Sequence, residues 1–322
     1  TTYVYDANGN VISQKSYATT ITVPTAGGTP PTPSGSYRET QFAYDRDNRL
    51  IETRIPSVRT GEWNGSSYAT SVADIVTSLA YDAAGNVVGQ TDARGVTTWN
   101  YYDKTGHKIA TVDGEKYLSA YTYDGEGNVL TETRYATKLT GTINASSNPA
   151  TLASGVSGNS ADRITTFTYD KNGRRLTEAR SGVASYTVGS TGALSTGSTT
   201  ATITYAYDAI GNITRRTEAT GDYIDYTYDN LGRQLTAKTS AFTDYTAASV
   251  QRLMESGYDG LGNLTWQRVR AASGASSDDR VTSFTYGATG LVATATDATG
   301  FIRAYAYDIV GHVVKESYSR TK

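Results

Sequence analysis

The sequence predicts an all-β chain, a long antiparallel meander of short hairpins. Three observations predict it. First, a ten-residue phrase, "YTYDGEGNVL" at 121–130, returns along the whole chain as "YVYDANGNVI", "LAYDAAGNVV", "YAYDAIGNIT", "SGYDGLGNLT" and "YAYDIVGHVV". Second, the shortest spacing between copies is 21 residues, too short for a buried helix plus a strand. Third, aromatic and small residues alternate within each phrase with the period of two that strands impose.

Each unit is marked by the Tyr before the Asp: Tyr5, Tyr44, Tyr81, Tyr102, Tyr123, Tyr169, Tyr207, Tyr228, Tyr258, Tyr286 and Tyr307. Asp follows in all of them but one, where Gly287 stands instead. Gly sits four residues after the Tyr throughout, except that Asn48 replaces it once. Asn is the commonest non-Gly residue to accept positive φ, so this position calls for a left-handed backbone. An Asp at the head of a turn accepts a hydrogen bond from an N–H two residues on. Asp-x-x-Gly therefore reads as a type I turn with a glycine bulge joining antiparallel strands. The structural turn residues singled out are Tyr5, Asp6 and Gly9; Tyr102, Asp103 and Gly106; Tyr123, Asp124 and Gly127; Tyr207, Asp208 and Gly211; Tyr228, Asp229 and Gly232; and Tyr307, Asp308 and Gly311. Gly127, at the repeated position, is expected to tolerate Val far less than Gly158, which lies in an insertion.

A second turn signal falls between the first ones, as "TDARG" at 91–95, "TVDGE" at 111–115, "TEATG" at 217–221 and "TDATG" at 296–300. Each shortest unit thus holds two strands and two turns. Two residues before the marked Tyr stands another aromatic in most units, such as Tyr3, Phe42, Tyr121, Phe284 and Tyr305, with Ala or Thr between them. One face is then a ladder of rings. Burying a ring removes about 150–250 Å² from water, so the sheet is expected to curl, stack or find cover for that face.

Longer spacings come from insertions at or near the second turn: 24–36, 59–71, 140–160, 182–199, 244–252 and 271–279. They are rich in Ser, Thr, Gly, Ala and Pro and read as loops or extended hairpins, with almost no helix anywhere. A longer repeat overlies the short one. "GNVISQKSYATTIT" at 9–22 matches "GNVLTETRYATKLT" at 127–140, giving super-repeats that start near Tyr5, Tyr123 and Tyr258. Residues 1–322 are therefore read as one continuous repeat region, a piece of a longer protein.

Composition excludes several functions. Lys plus Arg is 29 against Asp plus Glu at 31, so nucleic acid is not an expected partner. Cys is absent, which removes disulfides and thiolate metal sites, and no apolar run is long enough for a transmembrane helix. The 26 Tyr against 5 Phe suit half-buried strands, where a ring packs and a hydroxyl finds a partner. No GxxxxGK[ST], GxSxG or HExxH pattern occurs. "DANGN" at 6–10 begins like a calcium loop, but its twelfth position is Tyr17, and that of Asp124 is Tyr135. His107 and His312 both stand directly after a turn glycine and read as turn residues. No acidic pair is marked out for glycoside hydrolysis. The sequence thus assigns no catalytic residue, metal or cofactor. Trp99 and Trp266 fall in strands and read as packing; Trp63, in the insertion "RTGEWNGSS", is the candidate ligand contact. Asn-x-Ser/Thr occurs at Asn64, Asn144, Asn212 and Asn263.

"YxYDxxGNxxxxTxxxG" resembles the YD repeat of the rearrangement-hot-spot (RHS) family, and the related repeats of insecticidal toxin-complex subunits and teneurins. The resemblance covers Tyr3 to about Tyr318. It implies a strip of hairpins that spirals into a shell-like or barrel-like sheet. It also implies a scaffold that encloses or displays a toxin or effector encoded elsewhere, with the remaining repeats and a cargo domain of the parent protein as partners. A secreted or cell-surface, bacterial setting goes with it. No Asp-Pro pair occurs, so self-cleavage of the kind found in polymorphic-toxin members is not expected within this segment. Two other functions stay open at this point: adhesion or carbohydrate binding through the variable loops, and a polysaccharide-acting enzyme.

Overall fold

A computed structural model describes residues 1–18, 35–63, 65–243, 249–270 and 278–320. The expected loop "PTAGGTPPTPSGS" falls almost wholly outside them, as do Asn64 and the larger, leading parts of the last two insertions, 244–248 and 271–277.

The chain divides into two compact units, Thr1–Ile164 and Thr165–Lys322. The first contains β1 (Thr2–Tyr5), β2 (Val11–Tyr17), β3 (Tyr37–Tyr44), β4 (Leu50–Trp63), β5 (Tyr68–Tyr81), β6 (Val87–Thr91), β7 (Thr97–Tyr102), β8 (Lys108–Val112), β9 (Leu118–Tyr123), β10 (Val129–Arg134) and the helix α1 (Pro149–Val156). From β1 to β10 each strand pairs antiparallel with its sequence neighbours.

The second unit follows the same plan. β11 (Arg163–Tyr169) starts two residues before the boundary. It is followed by β12 (Arg175–Val188), β13 (Leu194–Tyr207), β14 (Ile213–Thr217), β15 (Tyr223–Tyr228) and β16 (Gln234–Thr239). A two-residue ribbon of β17 (Phe242–Thr243) and β18 (Ser249–Val250) stands apart. β19 (Leu253–Tyr258) then pairs with β16 and resumes the meander through β20 (Leu264–Val269), β21 (Arg280–Tyr286), β22 (Val292–Thr296), β23 (Phe301–Tyr307) and β24 (Val313–Arg320).

The all-β antiparallel meander is what forms; the spiral, shell-like or barrel-like closure is not. Closing a sheet requires its first strand to pair with its last. Among the described residues β1 pairs with β2 alone and β24 with β23 alone, and within each unit every pairing joins neighbours along the meander. Neither unit's run of strands closes on itself. Of the expected ways to shelter the ring face, by curling, stacking or finding cover, the last is what the units use: cationic and imidazole side chains lie over several rings, and the Tyr hydroxyls find backbone acceptors, as described below.

The buried apolar cluster lies on the other face. The cluster of Tyr101, Ala110, Val112, Leu118, Leu139 and Val156 belongs entirely to the first unit. In "NYYD" the residue between the ring positions is Tyr101 rather than Ala or Thr, so it points away from Tyr102. Tyr101 opposes Ala110, and Val112 opposes Leu118, across β7–β9. The insertion 140–160 lies over them. Its helix α1 begins with Asn148, whose Oδ1 accepts from the N–H groups of Ala150 and Thr151 at 2.9 and 3.2 Å, and Pro149 follows at the first helical position. Tyr101 donates to the carbonyl of Asn144 at 2.9 Å, tying the loop down.

Two insertions are regular hairpin arms. β4–β5 and β12–β13 each join strands of 14 residues. Each arm leaves the sheet at a bulge, between Ile55 and Val58 and between Arg180 and Val183. Ser57 (φ 55°) and Gly182 (φ 67°) take the left-handed backbone there. Asp74 holds the first bulge by accepting from the Ser57 N–H at 3.0 Å and from Arg54 Nη1 at 2.8 Å.

Gly127 has φ 87°, but Gly158, directly after the C-cap of α1, has φ 88°. Both are left-handed, so backbone conformation does not separate them; what does is that a Cβ at Gly127 meets the His107 ring at 2.9 Å, whereas one at Gly158 meets nothing. Gly125, in the same turn as Gly127, has no positive φ and open space around a built Cβ. Gly127→Ala should cost about 1–2 kcal/mol, whereas Gly125→Ala should stabilise by about 0.4–1 kcal/mol through the unfolded chain. Denaturant melts of the two variants measure the difference directly.

Candidate functional site

The repeated chemistry of this chain is a turn clamp joined to a seam between hairpins. In each clamp the Asp N–H donates to the carbonyl four residues on, and the glycine N–H donates back to the Asp carbonyl; at Asp124 these distances are 2.9 and 3.2 Å. Asp Oδ1 accepts two further N–H groups, those of Glu126 and Asn128 at 3.1 and 2.8 Å for Asp124. Oδ2 accepts the side chain four residues on. Asn fills that position at Asn10, Asn86, Asn128, Asn212 and Asn263, and Arg at Arg49, Arg174 and Arg233. His107 and His312 stand in the same place, each with Nδ1 3.2 Å from its Asp. They are thus parts of separate clamps.

The clamp geometry includes Tyr5–Asp6–Gly9, Tyr102–Asp103–Gly106, Tyr123–Asp124–Gly127, Tyr207–Asp208–Gly211, Tyr228–Asp229–Gly232 and Tyr307–Asp308–Gly311, with φ from 75° to 101° at the six glycines. Asn48 takes φ 61° at the equivalent position. The second turns use the same backbone bonds, and there Lys116 occupies the left-handed position with φ 67°.

These hydrogen bonds favour the ionised carboxylate. Asp6, Asp82, Asp124, Asp208 and Asp259 are held below the ordinary range mainly by their Asn side chains. At Asp45, Asp170, Asp229 and Asp308 the main cause is the N–H four residues on. Asp103 falls from 3.8 to about 2, chiefly through the Thr105 hydroxyl at 2.6 Å. A carboxylate whose pKa is depressed on folding adds stability above its unfolded value and loses it as pH falls through the folded one. Acid should therefore unfold the chain progressively, with the Asp103 share disappearing between 3.8 and about 2. An Asp103→Asn variant should have a shallower acid limb. Circular dichroism followed from about pH 6 to about pH 2 reads it.

The marked Tyr forms the seam. Its hydroxyl donates to a backbone carbonyl of the preceding hairpin, five residues after that hairpin's turn head. Tyr44 reaches Val11 at 3.1 Å, Tyr81 reaches Leu50 at 2.9 Å, Tyr102 reaches Val87 at 3.2 Å and Tyr123 reaches Lys108 at 2.8 Å. In the second unit the acceptors are Arg175, Ile213, Gln234, Leu264 and Val292, for Tyr207, Tyr228, Tyr258, Tyr286 and Tyr307. Each acceptor lies two residues beyond the last ladder pair between the hairpins, as Val87 does beyond Gly89↔Trp99. The ladder ends before the turn, and the phenol continues it there. Such a bond contributes about 0.5–1.5 kcal/mol net.

Where the clamp side chain is Arg, it bridges two turns. Arg49 binds its own Asp45 through Nε at 2.7 Å, donates through Nη1 to the Asp82 carbonyl at 3.2 Å and lies 4.7 Å over the Tyr81 ring. Arg174 and Arg233 repeat this with Asp208 and Tyr207, and with Asp259 and Tyr258. The His107 ring stacks on Tyr123 at 4.7 Å. Sequence reasoning missed this seam. Its signal was the restriction of the residue after the turn glycine to Asn, Arg or His in all units but the one with Leu291. On the opposite face Thr pairs bond across the hairpin, as in Thr122–Thr131 at 2.6 Å and Thr227–Thr236 at 2.7 Å.

Trp99 lies over Gly89, and Trp266 over Gly257, each glycine being its cross-strand partner. Trp63 ends β4 at the tip of the first arm, 57% exposed. Among the described residues no three His, Asp or Glu side chains converge as metal ligands, and no helix is long and apolar enough to cross a membrane.

No curated protein matches the chain in sequence. Among solved structures, TcdB2–TccC3 is 17% identical with a TM-score of 0.36, over 99% of this chain and 19% of that one. The Photorhabdus luminescens Tc holotoxin pore with a TccC3 variant gives 17% identity and 0.36, over 99% and 18%. A porin-like protein from Bacteroides uniformis gives 9% and 0.17, over 88% of both chains. The chain spans about a fifth of the toxin chains it matches. The family model of the teneurin YD-shell matches residues 67–265, well over half of the sequence. With Tyr-Asp turns recurring through that span, the chain belongs to the teneurin YD-shell family.

Proposed function

We propose that the chain is a scaffold segment of a larger protein, built to enclose or display a toxin or effector encoded elsewhere in that protein. The observation that carries this reading is the seam: within each unit the recurrent side-chain chemistry is spent on joining hairpins to the ones before them. The chain is a structural protein and not an enzyme. The remaining repeats of the parent are its first partners, and a cargo domain is the second. A secreted or surface-borne, bacterial setting belongs to the same reading. The test is limited proteolysis of the parent with and without this segment. The effector should resist protease only when the segment is present; equal sensitivity in both forms would defeat the proposal.

A second reading, adhesion, is favoured by one observation, the exposed Trp63 at an arm tip. An indole there offers a stacking platform for a sugar ring. A glycan array should show binding that Trp63→Ala abolishes, and an array with no bound glycan removes this reading.

A further inference from the structure

Between Arg180 and Asp208 the chain has no charged residue and no proline. That stretch builds the outer part of the β12–β13 arm, paired from Val183↔Thr199 to Val188↔Leu194. Neighbouring strands do not flank it among the described residues. The β11–β12 ladder reaches only to Thr165↔Arg180, and the β13–β14 ladder begins at Thr204↔Thr217. Residues 194–201 of β13 therefore present an outer edge with no strand beside it.

Such an edge is a template for another strand, and proteins usually guard it with Lys, Pro or an inward charge. The first arm has such guards in its sequence: Pro56, Arg59, Glu62 and Asp74. The second arm has none. It also exposes Tyr186, Val188 and Leu194 to 66%, 71% and 69%. Val188 opposes Leu194, and Tyr186 stands two residues before Val188, so the three share one face. A ribbon of two strands is marginal in water by itself.

We propose that the β13 edge of this arm pairs with the same edge of a second copy of the chain, making a four-stranded antiparallel sheet about a two-fold axis. An identical partner fits for an electrostatic reason. Under a two-fold axis the edge meets itself, so any residue near the axis meets its own copy. A charged edge would set like charges against each other; this one has no charge to oppose. The Tyr186, Val188 and Leu194 of each copy, at its arm tip, then flank the other copy's end of the paired edge. The seam and clamps take no part, so this association stands apart from the scaffold reading.

Light scattering on the intact chain over a concentration series should show a monomer–dimer equilibrium. Ser195→Lys with Thr199→Lys should move its midpoint upward by about tenfold or more and leave the melting temperature unchanged at concentrations where the chain is monomeric, because both positions are exposed. Ser71→Lys with Thr70→Lys, on the other arm, should change nothing. Single cysteines placed in turn from 194 to 201, in a chain with no Cys of its own, should form inter-chain disulfides with a yield that peaks at one position. A chain that stays monomeric throughout, a dimer indifferent to the lysines on β13, or a flat cysteine profile would each overturn the proposal. So would a monomeric chain whose arm captures an unrelated extended peptide.

Discussion

Leu118→Ala should destabilise the first unit by about 2–5 kcal/mol, the range for emptying a well-packed core site. Leu118 is 1% exposed and opposes Val112, itself 1% exposed. The β7–β9 face lies on one side and Leu139 and Val156, from the loop and helix, on the other. Neither layer can collapse freely into the space: one is a hydrogen-bonded sheet, the other is fixed by the Tyr101 to Asn144 bond. The same truncation at Leu261, 90% exposed at a turn tip, should be nearly neutral. Paired urea melts decide it, and similar midpoints for the two variants would show that no organised core exists there.

Gly257→Ala should cost about 1–3 kcal/mol by overpacking, with no contribution from backbone strain. Gly257 has no positive φ, but a Cβ built on it overlaps the Trp266 indole. The two residues are cross-strand partners in β19–β20, so the ring has no path away except off the sheet. The effect belongs to the pair. In a Trp266→Ala background the same methyl should be tolerated, and a double-mutant cycle should return most of the single-variant cost as coupling. An additive cycle would place the strain elsewhere.

The sequence carried the local geometry well because each turn is specified by a few neighbouring residues. Asn48, replacing glycine once, pointed to the left-handed position, and the period of two separated the faces. Lys116 shows the limit: at φ 67° it fills the same kind of position with no glycine to announce it. The core was harder to read. The rings were taken as the part needing cover, yet Arg49, Arg174, Arg233 and His107 lie over several of them. The buried cluster grew instead around Tyr101, which with Val4 and Gly257 departs from the Ala or Thr pattern. The helix α1 had its own signal in "NPATL", where Asn caps and Pro follows. Closure was not legible because it depends on what the outermost strands meet, and no turn motif encodes that. The seam was hidden because its acceptors are main-chain carbonyls, which leave no trace in residue identity.

That last property makes each hairpin a cassette. The groups accepting the phenol belong to residues as unlike as Val11, Lys108, Arg175 and Gln234. A hairpin can therefore be duplicated, exchanged or dropped without any matching change in its neighbour, provided the incoming copy brings its own tyrosine. The length of such a strip is free to drift in whole modules while every joint keeps the same grip.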